Sequence, residues 1–155
     1  MKITLEPTTE DETRIAELAT TGIAFGPRYI ADDGTALFES STYTLSKILA
    51  AEHIETSRIV PNEQEAEINE NAFDLLLPVI VISWTLLSED PHLMSLSINL
   101  ISNYIHDFFK GVRGEKTVKC KILIKGKKTT KKIYYEGPPE QFKDVKDILD
   151  TASND

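Results

Sequence analysis

Cysteine is nearly absent from this chain: Cys120 is the one thiol in 155 residues. One thiol excludes an internal disulfide, so the fold needs no oxidising compartment. Cys120 falls in the inward set of an alternating run, where a thiol serves as a small buried hydrophobe. The seven glycines have no phosphate-loop spacing. Ser40, Ser41, Ser83, Ser95 and Ser97 sit in no glycine-flanked nucleophile elbow. The three histidines, His53, His92 and His106, lack a nucleophile or a second ligand at metal spacing. The sequence therefore predicts neither catalytic residues, nor a metal, nor a cofactor.

Long hydrophobic runs are missing too. The longest, Phe73 to Leu87, is broken by Asp74, Pro78, Ser83 and Thr85. It falls short of the roughly 20 apolar residues a membrane span needs. The segment Met1 to Glu6 has no apolar signal-peptide core. A cytoplasmic protein without membrane contact is the expectation.

Basic residues are scarce over most of the chain. Residues 1–109 hold 5 bases and 18 acids, and residues 133–155 hold 2 bases and 6 acids. Residues 110–132 reverse this, with 10 bases against Glu115 alone. A cationic block inside a chain of net charge −8 predicts a directional electrostatic surface.

That block lies in the most strongly patterned part of the sequence. Asp90 and Pro91 read as N-cap and first helical residue. Leu93, Leu96, Leu100, Ile101, Tyr104, Ile105 and Phe108 follow at helical steps, and Lys110-Gly111 closes the helix. Val118, Cys120, Ile122 and Ile124 then alternate with Lys119, Lys121, Leu123 and Lys125, the pattern of a half-buried strand. Gly126-Lys127-Lys128 reads as a turn. In the return strand Ile133 and Tyr135 share one face, Lys132 and Tyr134 the other. Gly137-Pro138-Pro139 opens a helix striped by Phe142, Val145, Ile148 and Leu149.

The earlier half is less regular. Ile3 and Leu5 alternate inward in a strand that Pro7 ends. Thr9 and Glu12 fit a capping box for a short acidic helix that Gly22 stops. Ile23 to Phe25 reads as a strand. Asp32-Asp33-Gly34 reads as a hairpin turn with positive φ at both central positions. Ser41 or Thr42 caps a helix ending near His53, and Arg58 to Val60 is a brief strand. Residues 61–71 read as an acidic loop or solvated helical turn. Phe73 to Leu87 admits a strand, from Val79-Ile80-Val81-Ile82, or a helix, from its length and the helix after it. The helix is our expectation.

The result is an α+β fold in a single domain of residues 1–155. Residues 1–70 form a mixed part with short N-terminal strands and a hairpin, 72–111 a central apolar helical pair, and 116–151 a C-terminal ββα unit. Lys119, Lys121, Lys125, Lys127, Lys128, Lys132 and Tyr134 stand on the hairpin's outer face or turn as a binding surface. Such a ribbon suits an acidic protein partner, or alternatively a nucleic acid whose phosphates meet the lysines and whose base stacks on Tyr134. Lysine also guards sheet edges, and the acidic remainder of the chain offers a ligand within the molecule or across a homo-oligomer.

The order of helical pair, basic spacer (Lys110-Gly111-Val112-Arg113-Gly114), hairpin (Thr117 to Tyr135), Glu136-Gly137-Pro138-Pro139 and helix resembles the effector-associated constant components of bacterial conflict systems. The resemblance covers the C-terminal half. It implies a non-catalytic accessory protein of bacterial or phage conflict, working beside an effector enzyme.

Overall fold

The computed structural model describes residues 2–68 and 74–153. The fold is α+β. Its strands are β1 (Lys2–Glu6), β2 (Ile23–Gly26), β3 (Tyr29–Ile30), β4 (Ala36–Glu39), β5 (Thr56–Arg58), β6 (Glu65–Ile68), β7 (Leu75–Leu76), β8 (Val79–Ser83), β9 (Val118–Lys125) and β10 (Thr130–Gly137). Its α-helices are α1 (Glu10–Glu17), α2 (Ser41–Ala51), α3 (Trp84–Glu89), α4 (Pro91–Phe108) and α5 (Val145–Ser153).

The main sheet runs β1-β10-β9-β8-β2-β5, with β7 also paired to β9. The hairpin β9–β10 is antiparallel, with Ile133 opposite Ile122 and Tyr135 opposite Cys120. Its apolar face joins the larger core, where Ile122, Ile133 and Tyr135 are fully buried against residues of α2, α4 and α5. Tyr135 meets Phe142 edge-on at 5.3 Å. The return helix starts later than expected, because a 3-10 segment (Pro139–Asp144) precedes α5.

Residues 75–83 correct the expected helical hairpin of 72–111. Leu75–Leu76 and Val79–Ser83 are strands, both parallel to β9, and helix begins only at Trp84. Pro78 lies between the two strands. Ile80, Val81 and Ile82 are all buried because β8 is a central strand covered on both faces. Such a strand shows a continuous apolar run in place of alternation, so its periodicity resembles that of a buried helix. Phe73 lies outside the described residues.

The second face of the sheet is covered as well. Ala16 of α1 packs on Ala24, Ile59, Val81 and Leu123, with Ile15 and Ala19 at the margin. Leu123, expected among the outer lysines, is thus 1% exposed. The α1 capping box is present: Thr9 Oγ1 accepts from Glu12 N, and Thr9 N donates to the Glu12 carboxylate. The helix stops at Glu17, short of Gly22.

Several local expectations shift. Asp90 caps α4, accepting from Leu93 N at 3.1 Å, but the buried stripe is Met94, Ser97, Ile98, Ile101 and Ile105. Leu96 and Phe108 lie outward. Leu5 is 65% exposed because β1 is the outermost strand, whereas Ile3 packs on the core. The hairpin turn at Asp32-Asp33-Gly34 has positive φ at Gly34 alone, and Ala31 N donates to Thr35 O across a three-residue loop. Neither Ser41 nor Thr42 caps α2: Ser40 occupies that position, and Ser41 Oγ donates to Leu76 O. Residues 65–68, expected in a loop, form β6 beside β4 in a second sheet of order β3-β4-β6. Residues 69–71 of the expected loop lie outside the described residues.

Candidate functional site at the lysine hairpin

Lys119, Lys121, Lys125 and Lys132 project from the face opposite the large core, as the period of two requires, whereas Lys131 shares the face of Ile133. That face is not open solvent. α1 crosses it, and Glu12, only 8% exposed, reaches the sheet there. Lys121 Nζ lies 2.7 Å from Glu12 Oε2, and Lys132 Nζ lies 3.0 Å from Glu12 Oε1 and 3.5 Å from Glu6. Lys119 faces Asp74 at 3.5 Å and Glu136 at 3.7 Å. The acidic remainder of the chain therefore serves as an internal counter-charge for three of the candidate lysines.

Their chemistry follows from this placement. Burial alone would raise the Glu12 carboxyl, but hydrogen bonds from Lys121, the Thr9 N–H and Lys132 outweigh it and hold the group down at about 2. Burial would lower Lys132, and its contacts with Glu12 and Glu6 outweigh that and raise it. Tyr134 is raised, first by burial and then by the Glu136 charge, and its hydroxyl lies 3.4 Å from Glu136 Oε1. The half-buried Tyr134 thus shares the ion-pair face with these lysines.

The remaining candidates gather at the tip. Gly126 N donates to Thr129 O at 3.0 Å, closing residues 126–129 between the strands. A Cβ on Gly126 would lie 2.6 Å from that same oxygen, so the turn requires glycine. Lys127 and Lys128 are exposed. Lys127 Nζ sits 5.1 Å from the ring centroid of Trp84, a cation–π distance. Lys125 Nζ donates to the Glu17 carbonyl at 3.3 Å. Two clefts share the Trp84 edge. One, of about 320 Å³, is lined by Lys127, Lys128, Thr129 and Lys131. The other, of about 380 Å³, is lined by Thr20, Thr21, Ser83, Thr85 and Lys125.

Trp84 is the residue that sequence reasoning missed. It stands at the β8–α3 junction inside the ambiguous apolar run, and only the parallel pairing of Ser83 with Lys125 brings it to the hairpin tip. The histidines do not assemble: His53, His92 and His106 are all exposed, after α2 and in the first and last turns of α4. Cys120 is buried, and burial pushes its thiol far up. Among the described residues no three His, Cys, Asp or Glu side chains form a metal-sized group, and no helix is long and apolar enough to cross a membrane.

Comparison of the chain with protein-family models, with curated proteins and with solved structures found no match in any of the three.

Proposed function

We propose that this protein is a non-catalytic interaction module that captures an acidic segment of a protein partner at its hairpin tip. The contrast within the lysine set carries the reading. Lys119, Lys121 and Lys132 are held by the chain's own carboxylates, whereas Lys127 and Lys128 are exposed beside an aromatic ring. A small cationic patch with an indole and hydroxyl-lined clefts suits a short acidic peptide. The C-terminal layout, similar to constant components of conflict systems, makes an effector enzyme the proposed partner class, met in the cytoplasm. The test is capture from low-salt lysate by the tagged protein and by a Lys127→Glu/Lys128→Glu variant. A protein retained by the first and lost by the second supports the reading. Equal capture by both overturns it.

A second reading, single-stranded nucleic acid, draws on Lys127 over Trp84, a cation and an aromatic face side by side. The neutralised lysines of the strands weigh against it, since tracking a phosphate backbone takes a run of available cations. Oligonucleotide affinity that collapses with salt would favour this reading, and salt-insensitive or absent binding would remove it.

A further inference from the structure

The main sheet ends on β1, whose single strand partner among the described residues is β10. On the lysine face, charges alternate in sign from strand to strand along two rows. In one row Lys2 stands opposite Glu136, and Glu136 opposite Lys119. In the other, Glu6 stands opposite Lys132. The rows end on the free edge with opposite signs, Lys2 in one and Glu6 in the other.

We propose that β1 is a homodimerisation edge, on which a second copy of this chain pairs antiparallel through its own β1. The five residues Lys2-Ile3-Thr4-Leu5-Glu6 are self-complementary in that direction. Centred on Thr4 opposite Thr4 of the second copy, each Lys2 meets a Glu6 and each Ile3 meets a Leu5. Both charge rows then continue their alternation across the junction, which like-signed or parallel pairing would break. The opposite face gains too. Leu5 lies opposite the fully buried Ile133 in register, yet is itself 65% exposed. Pairing with Ile3 of the second copy extends the apolar layer over it. A two-fold axis through Thr4 makes the contact isologous and closed, so it ends at two copies. Edge strands are ordinarily guarded by charge against this addition. Here the two charges guard against parallel pairing and admit the antiparallel one.

Sedimentation equilibrium over a broad concentration range tests the proposal, with circular dichroism confirming that each variant folds. The wild-type chain dimerises reversibly. Lys2→Glu and Glu6→Lys each weaken the dimer by about tenfold or more, since each sets like charges opposite one another twice. Mixing these two variants in equal amounts restores association, because the two acids of one chain then face the two bases of the other. Leu5→Lys, at an exposed position, weakens the dimer without unfolding the monomer. A chain that stays monomeric throughout, or a dimer indifferent to all three substitutions, overturns the proposal.

Discussion

Lys132 Nζ lies 3.0 and 3.3 Å from the two carboxylate oxygens of Glu12, a bond between residues 120 apart that pins α1 to the hairpin. Lys121 shares the same carboxylate. One acid thus holds two bases on adjacent strands, with little water around Glu12 and Lys132 and more around Lys121.

This arrangement sets the response to acid. Glu12 titrates at about 2 in the folded chain against its ordinary 4.5. A lowered folded value means that its contribution is present above 4.5 and is lost as pH falls through about 2. Glu12→Gln keeps a capping-box residue at the third helical position but removes the charge. We expect it to cost about 1–3 kcal/mol at neutral pH and to flatten the stability–pH curve between those two values. Urea melts at a series of pH values check this, and an unchanged slope would refute the assignment.

The strand lysines and the tip lysines should separate cleanly by phenotype. Lys132→Glu and Lys121→Glu each set a second carboxylate against Glu12 and should lower stability, by about 2–4 kcal/mol at the largely buried Lys132 and by about 1–2 kcal/mol at the more exposed Lys121. Lys127→Glu and Lys128→Glu, at exposed positions, should shift it by less than about 1 kcal/mol. Thermal melts of the four variants settle the point.

Trp84 is the single tryptophan, so its fluorescence reports directly on the tip. A glutamate-rich peptide should perturb the emission of the wild-type chain, and Lys127→Ala/Lys128→Ala should weaken the apparent affinity about tenfold or more. Emission that ignores the peptide at low salt would leave the tip without its proposed ligand.

His53 tests whether a histidine here has a structural place. It closes α2 with φ +61, while His53 N donates to Ala50 O and Ile54 N to Leu49 O. These are the two bonds of a Schellman motif, in which glycine is the preferred residue. His53→Gly should therefore stabilise the fold by about 1 kcal/mol. A destabilised variant would show that the imidazole makes a contact of its own.

The sequence was most legible where one periodicity governed a segment. The alternation from Val118 to Lys125, the Thr9–Glu12 box and the Asp90–Pro91 start all appear in the structure at their expected positions. Legibility failed where burial was two-sided. Val79–Ser83 has no polar face to betray its period, so its pattern fits helix as well as strand, and the exposure of Leu5 depends on which strand is outermost. The site was legible in composition but not in partnership. Nothing near Lys121 and Lys132 in the chain names Glu12, and nothing near Lys127 names Trp84. Both contacts are made by tertiary packing.

The pairing of β1 with β10 also orders events during synthesis. Glu6 finds its strand partner at Lys132, so β1, once synthesised, has no place in the sheet until β10 has followed. Closing so long a loop costs entropy that local hairpins escape. The hairpin β9–β10 closes locally once it emerges, whereas β1 waits for it, exposing an unpaired five-residue edge to other nascent chains on the same message.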